Sequence, residues 1–122
     1  MKNHRSIIWF IPALTIALGI FLLSTILSVP VQVKDVGYFD KIEHFFAYFV
    51  LVIAFLVAFK KTNTISLQAS VLLVLGASIY GFLLELAQYS LFPDRYFEWI
   101  DAGANVLGVI VGFTLFKLLV RE

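Results

Sequence analysis

Four long apolar runs, each of roughly 18–25 residues, fill most of this sequence, and the joints between them are short and polar. A bilayer core of about 30 Å is crossed by about 20 residues of helix, because each residue rises about 1.5 Å. Only a helix satisfies all backbone N–H and C=O groups within one segment, which lipid cannot do. The pattern therefore predicts an all-α fold, a membrane bundle of four transmembrane helices over 7–29, 42–59, 65–89 and 100–120, in a single domain covering 1–122. Composition agrees: 61% of the 122 residues are hydrophobic and 14% are charged, where a soluble domain carries about 25% charge. The bilayer is the expected partner. A net charge of +1 offers no basic patch, so nucleic acid is not expected as one. The absence of cysteine excludes disulfides and thiolate metal sites.

The first run follows Lys2, His4 and Arg5, a start shared with signal peptides. Its apolar core exceeds the usual 7–15 residues or so, and SVPVQV after it holds no small-x-small cleavage pattern, so it reads as a retained helix. Four spans put both termini on one side, with Lys2, Arg5, Lys60, Lys61, Lys117 and Arg121. The other side holds Lys34, Lys41 and Arg95. The excess of Lys and Arg marks the cytoplasmic face, so both termini are expected there and the joints at 30–39 and 90–99 outside. Tyr38, Phe39, Tyr96, Phe97 and Trp99 suit an outer aromatic belt, and Trp9 an inner one.

Residues 81–105, GFLLELAQYSLFPDRYFEWIDAGAN, concentrate what polarity the apolar part of the chain has. Glu85 is the sharpest case, since no charge precedes it back to Ile65. An ionisable group at membrane depth costs a few kcal/mol, which makes it a functional candidate by default. Helical spacing of three, four and seven gathers Asp40, His44, Ala47, Tyr48 and Leu51 on one face of the second span. It gathers Ser78, Gly81, Glu85 and Gln88 on the third, and Asp101, Ala104, Asn105, Gly108 and Gly112 on the fourth. Packed inward, these faces form one outer cluster of His44, Tyr48, Glu85, Gln88, Asp101 and Asn105, with Asp40 and Arg95 at its mouth. Ala104, Gly108 and Gly112 make a small-xxx-small ladder, so the two glycines are expected to serve close helix packing.

The same residues carry a family likeness. DKIEHFFAY at 40–48, YGFLLELAQ at 80–88, and R-x5-D-x3-N-x2-G from Arg95 to Gly108 together resemble the VanZ-like family. The three blocks span almost the whole chain and are specific as a set. The resemblance implies a small multi-span protein of the bacterial cytoplasmic membrane. The founding member of that family is associated with resistance to the glycopeptide teicoplanin, and many members lie outside resistance gene sets, so no resistance phenotype follows.

Two readings of the cluster compete. In the first, His44, Glu85 and Asp101 are acid/base groups, and Asp40, Lys41, Tyr48, Gln88, Arg95 and Asn105 hold an anionic lipid-linked or cell-envelope headgroup. Arg95 suits forked recognition of phosphate or carboxylate. No Ser-His-Asp order and no phosphate-cradling loop is present, so catalysis stays open. In the second, the chain is a non-catalytic accessory module that binds lipid or antibiotic, or the polar groups simply clamp helices together. Proton or ion translocation fits less well, because Thr15, Ser24, Thr25 and Ser70 are the few polar candidates in the inner halves. A metal is weighed on His44, Glu85, Asp101 and Asp40. A lone histidine without an H-x-x-x-H pair is thin support, so no metal is assigned, and no cofactor is identified.

Overall fold

The computed structural model describes residues 4–26, 39–92 and 96–120. A 3-10 segment, His4–Phe10, runs into α1 (Ile11–Thr25); α2 (Phe39–Lys61), α3 (Leu67–Leu91) and α4 (Trp99–Leu119) follow. The fold is all-α. Four segments are long and apolar enough to cross a membrane: Ser6–Thr25, Phe39–Lys61, Leu67–Leu91 and Trp99–Leu119. Large apolar side chains such as Leu72, Ile79, Leu83, Leu107 and Leu118 point outward, where lipid would meet them.

The elements differ from the expected spans at their ends, for local reasons. α1 is helical to Thr25, and the last part of the expected span, 27–29, lies outside the described residues. Pro12 sits at the start of α1, where its missing N–H breaks no helical bond. α2 starts at Phe39 rather than 42 and takes Asp40 and Lys41 into its first turn. An acid there faces the positive end of the helix dipole, and Lys60 and Lys61 face the negative end.

The α2–α3 joint is a capped turn. Asn63 takes φ 54°, a left-handed conformation that Asn tolerates better than most residues. Thr64 N–H then bonds the Phe59 carbonyl at 2.9 Å and Asn63 N–H bonds that of Lys60 at 3.2 Å, the Schellman pattern that satisfies the end of a helix. Ser66 immediately caps α3, its hydroxyl accepting from Ala69 N–H at 3.0 Å. That cap explains why α3 starts at Leu67, two residues later than the apolar run.

α2 and α4 form the most extensive helix pair. Their contacts advance in step along both chains: Lys41 meets Glu98 and Asp101, His44 meets Asn105, Phe45 lies beside Gly108, and Val52 beside Gly112. The two helices therefore run parallel, with α3 returning between them in sequence. Two glycines set the spacing. A Cβ at Gly108 would run into the Phe45 carbonyl oxygen, and one at Gly112 would collide with Val52 Cγ1. Such approach replaces the hydrophobic drive that helices lack in lipid with van der Waals contact. Tyr48, Leu51, Val52, Leu56, Ala77, Val109 and Phe116 fill the core. α1 is fastened by the Tyr80 hydroxyl, which donates to the Ala17 carbonyl at 2.6 Å.

Candidate functional site

The polar site is built where α2 and α4 begin. Asp40, Lys41 and His44 occupy the first turns of α2, and Asp101 and Asn105 the first turns of α4. Because the helices are parallel and glycine-spaced, both polar starts fall at the same end and face each other. Asp101 and Asn105 are 2% and 1% exposed, so their polar groups need partners within the protein.

Lys41 is the hub. Its Nζ lies 2.5 Å from Glu98 Oε2, 2.9 Å from Asp101 Oδ1 and 3.9 Å from Asp40 Oδ2. Glu98 and Asp101 also meet through their carboxyl groups, a contact that requires a proton or a cation close by. Glu98 stands just ahead of the fourth span. The hydrogen bond from Lys41, and then the one with Asp101, hold it below the ordinary carboxylate range.

His44 is oriented by Asn105. Its Nδ1 lies 2.9 Å from the Asn105 amide oxygen, an acceptor only, so Nδ1 carries the proton in that bond. In the neutral ring Nε2 is then the lone-pair nitrogen. It faces Asp40 Oδ1 at 3.8 Å and Asp101 Oδ2 at 3.7 Å.

Glu85 enters from α3 and is 4% exposed. Its carboxyl accepts the backbone N–H of Glu98, and His44, Asp101 and Glu98 lie within its electrostatic reach. It thus ties α3 to the start of α4. Gln88 is buried on the same face of α3, one turn along. Tyr48 is buried beside Tyr80, their ring centroids 6.4 Å apart. Arg95 lies outside the described residues.

The structure thus joins Asp40, Lys41, His44, Asp101 and Asn105 directly, and brings Glu85 to them through the Glu98 backbone. Asp40, His44 and Asp101 also offer one ligand atom each, all within 4.8 Å of one another, and Glu85 is not part of that set. Two residues escaped the sequence reading. Glu98 carries no role in the sequence reading, although it precedes Asp101 by three positions. Gly81 was placed on a polar face without a role, yet a Cβ there would come 2.9 Å from Tyr48 Cε1 and 3.0 Å from Asn105 Nδ2. No sequence pattern distinguishes that glycine from one that is merely tolerated.

Away from this end, the Thr25 and Ser70 hydroxyls bond within their own helical segments. Thr25 donates to the Phe21 carbonyl at 2.6 Å and Ser70 to that of Ser66 at 2.8 Å. Such back-bonding satisfies a hydroxyl without building a polar path across the bundle.

Fold and site together define a multi-pass membrane protein of four candidate spans with a buried Asp/His/Lys cluster at one end. Comparisons with family models, with curated proteins and with solved structures find no match.

Proposed function

We propose that this chain is a VanZ-like protein of the bacterial cytoplasmic membrane whose polar cluster binds, or acts on, an anionic lipid-linked or cell-envelope headgroup at the outer leaflet. The observation that carries this reading is the Lys41 hub. A cation and an oriented histidine are held among buried acids at an end of the bundle where glycine contacts already bring α2 and α4 together. Ionisable groups are an expensive way to obtain packing that apolar contacts supply elsewhere. Lys41 and Arg95 are the cations for a headgroup, and His44, Glu85 and Asp101 the groups able to exchange protons with it. The motif likeness over 40–48, 80–88 and 95–108 supports the family. The Lys and Arg distribution supports cytoplasmic termini. An impermeant maleimide should accordingly label Lys61→Cys in inside-out vesicles only.

A second reading has its own support. Glu85 accepts the Glu98 N–H and Asn105 accepts from His44, contacts that clamp three helices whether or not a ligand binds. In that case the chain is a non-catalytic accessory module. Glu85→Gln separates the two, since the amide keeps size and hydrogen-bonding capacity but loses the carboxyl charge and proton. Native mass spectrometry of the purified protein should show retention of phosphatidylglycerol over phosphatidylcholine. Glu85→Gln, which removes a buried acid beside the bound anion, should keep or strengthen that preference while its melting temperature holds. A wild-type protein with no preference for the anionic lipid sinks the headgroup reading, and a melting point that falls with Glu85→Gln favours the clamp.

A further inference from the structure

The cluster just described has an electrostatic imbalance that an anionic ligand alone would worsen. Among the described residues, the acids Asp40, Glu85, Glu98 and Asp101 face a single ammonium, Lys41. Asp101 and Glu85 are almost wholly removed from solvent, where charge is least screened. An anion entering such a site is favoured by positive charge added to that of Lys41 and Arg95.

The geometry points to its source. We propose that Asp40 Oδ1, His44 Nε2 and Asp101 Oδ2 form a binding site for a divalent transition-metal cation, with Zn²⁺ the best fit. The three donors come from two rigid parallel helices, Asp40 and His44 one turn apart on α2 and Asp101 facing them from α4. Nε2 stands 3.8 and 3.7 Å from the two oxygens, beyond hydrogen-bonding distance. A clamp would have closed those gaps to about 3 Å. Two donors each about 2.0–2.2 Å from a tetrahedral zinc stand roughly 3.3–3.5 Å apart, so the two His44 edges need to close by a few tenths of an ångström and the Asp40–Asp101 edge, within 4.8 Å, by up to about 1.3 Å.

Two further features fit the same ion. Asn105 fixes the tautomer by accepting from Nδ1 at 2.9 Å, which leaves the lone pair on Nε2 toward the carboxylates. Orientation of a metal-binding histidine through its other ring nitrogen is the usual arrangement around zinc. Lys41 does not occupy the triangle. It lies on Asp101 Oδ1 and nearest Asp40 Oδ2, whereas the oxygens facing His44 are Asp101 Oδ2 and Asp40 Oδ1. One imidazole with two carboxylates suits zinc or manganese better than magnesium, which keeps oxygen ligands and much of its water. Access exists from the α2 side, where the Asp40 and His44 side chains are 14% and 16% exposed and that of Asp101 only 3%.

Three protein donors leave the fourth position of a tetrahedral ion open. An anionic headgroup oxygen there would be bound by a cation held in an acidic site, which resolves the imbalance. That last role rests on the headgroup reading above; the ion site does not.

The test uses the full chain, purified in detergent, stripped with a chelator and titrated with Zn²⁺ alone by calorimetry and thermal melting. One Zn²⁺ per chain is expected, with a rise in melting temperature that Mg²⁺ at equal concentration does not give. His44→Gln and Asp101→Asn should remove stoichiometric binding. Asn105→Ala keeps all three donors and should weaken it by about 10–100-fold. If His44→Gln does not fold, the partly exposed Asp40→Asn takes its place with the same expected loss. Folded wild-type protein that takes up no stoichiometric Zn²⁺ overturns the site, as does unchanged affinity across the donor variants. Lipid retention is measured separately, on both the stripped and the Zn²⁺-loaded protein. Headgroup preference without Zn²⁺ uptake removes the ion and leaves the proposed function standing, whereas Zn²⁺ uptake without headgroup preference does the reverse.

Discussion

The two ends of this bundle solve the same problem with opposite chemistry. At one end α2 and α4 meet through Lys41, His44, Asp101 and Asn105, with the last two buried. At the other, α2 ends in exposed Lys60 and Lys61, and its neighbour there is the start of the first span. Phe10 packs against Phe55 and Phe59 at centroid distances of 6.4 and 5.7 Å, and the Lys61 ammonium lies 5.0 Å over the Trp9 ring. The basic end keeps its charges outside and closes with aromatic rings. The polar end draws three acids, Asp40, Glu85 and Asp101, inward around Lys41 and keeps Glu98 at its rim. Since rings and small residues suffice to join helices, the buried charges at the polar end ask for an explanation beyond packing.

The comparison assumes that glycine spacing, rather than the polar pairs, brings α2 and α4 together. Gly108→Leu tests this and has the largest expected effect. A Cβ there already strikes the Phe45 backbone oxygen, which cannot turn aside as a side chain could. The cost is expected to be about 3 kcal/mol or more, with loss of most folded protein in detergent. A Gly108→Leu protein that melts like wild type would return the helix-joining role to the polar pairs.

The same substitution at each end sharpens the contrast. Lys41→Met leaves Glu98 and Asp101 without their shared cation. Breaking a buried pair costs several kcal/mol; the Lys41 side chain is 26% exposed, and allowing for that exposure about 2 kcal/mol is expected. Asp101→Asn in the same chain should restore part of it. Lys61→Met loses only a contact with Trp9 from an exposed position and should stay within about 0.5 kcal/mol. Chemical denaturation in a fixed detergent compares the two, and equal costs would erase the distinction between the ends.

The sequence exposed the span count and the polar faces because both follow from periodicity, which a single helix carries alone. Asp40 with His44, and Asp101 with Asn105, are each one turn apart, so their alignment needed no partner. At the joint holding Asn63 the sequence shows only Lys60 and Lys61 on the basic side, since Asn at φ 54° depends on the fit between two helices. What periodicity could not supply was the pairing of faces. That α2 meets α4 in parallel, with Lys41 rather than His44 as the hub, depends on the Phe45 and Gly108 backbones approaching. Glu98 was missed for a related reason. It precedes the first turn of α4 and gains its role only when Lys41 arrives from the other helix.

Glu98 also supplies the finest test, because it is the hub's partner just outside the spans. Its hydrogen bond from Lys41 holds its folded-state value below the ordinary 4.5. A depressed carboxylate contributes stability that is fully present above the unfolded value and is lost as pH falls through the folded one. The side chain is 47% exposed, so solvent screens the pair and the effect is small. Wild type should therefore melt slightly above Glu98→Gln at pH 6, and the difference should shrink as pH drops below about 4.5 until the two coincide. Added salt should narrow it at pH 6 as well. Subtracting the variant removes the titration of the other acids to first order, so the residual reports the Lys41–Glu98 contact. A gap that widens on acidification would mean that Glu98 is stabilised as the neutral acid. The hub would then be the Glu98–Asp101 carboxyl pair, with Lys41 secondary to it.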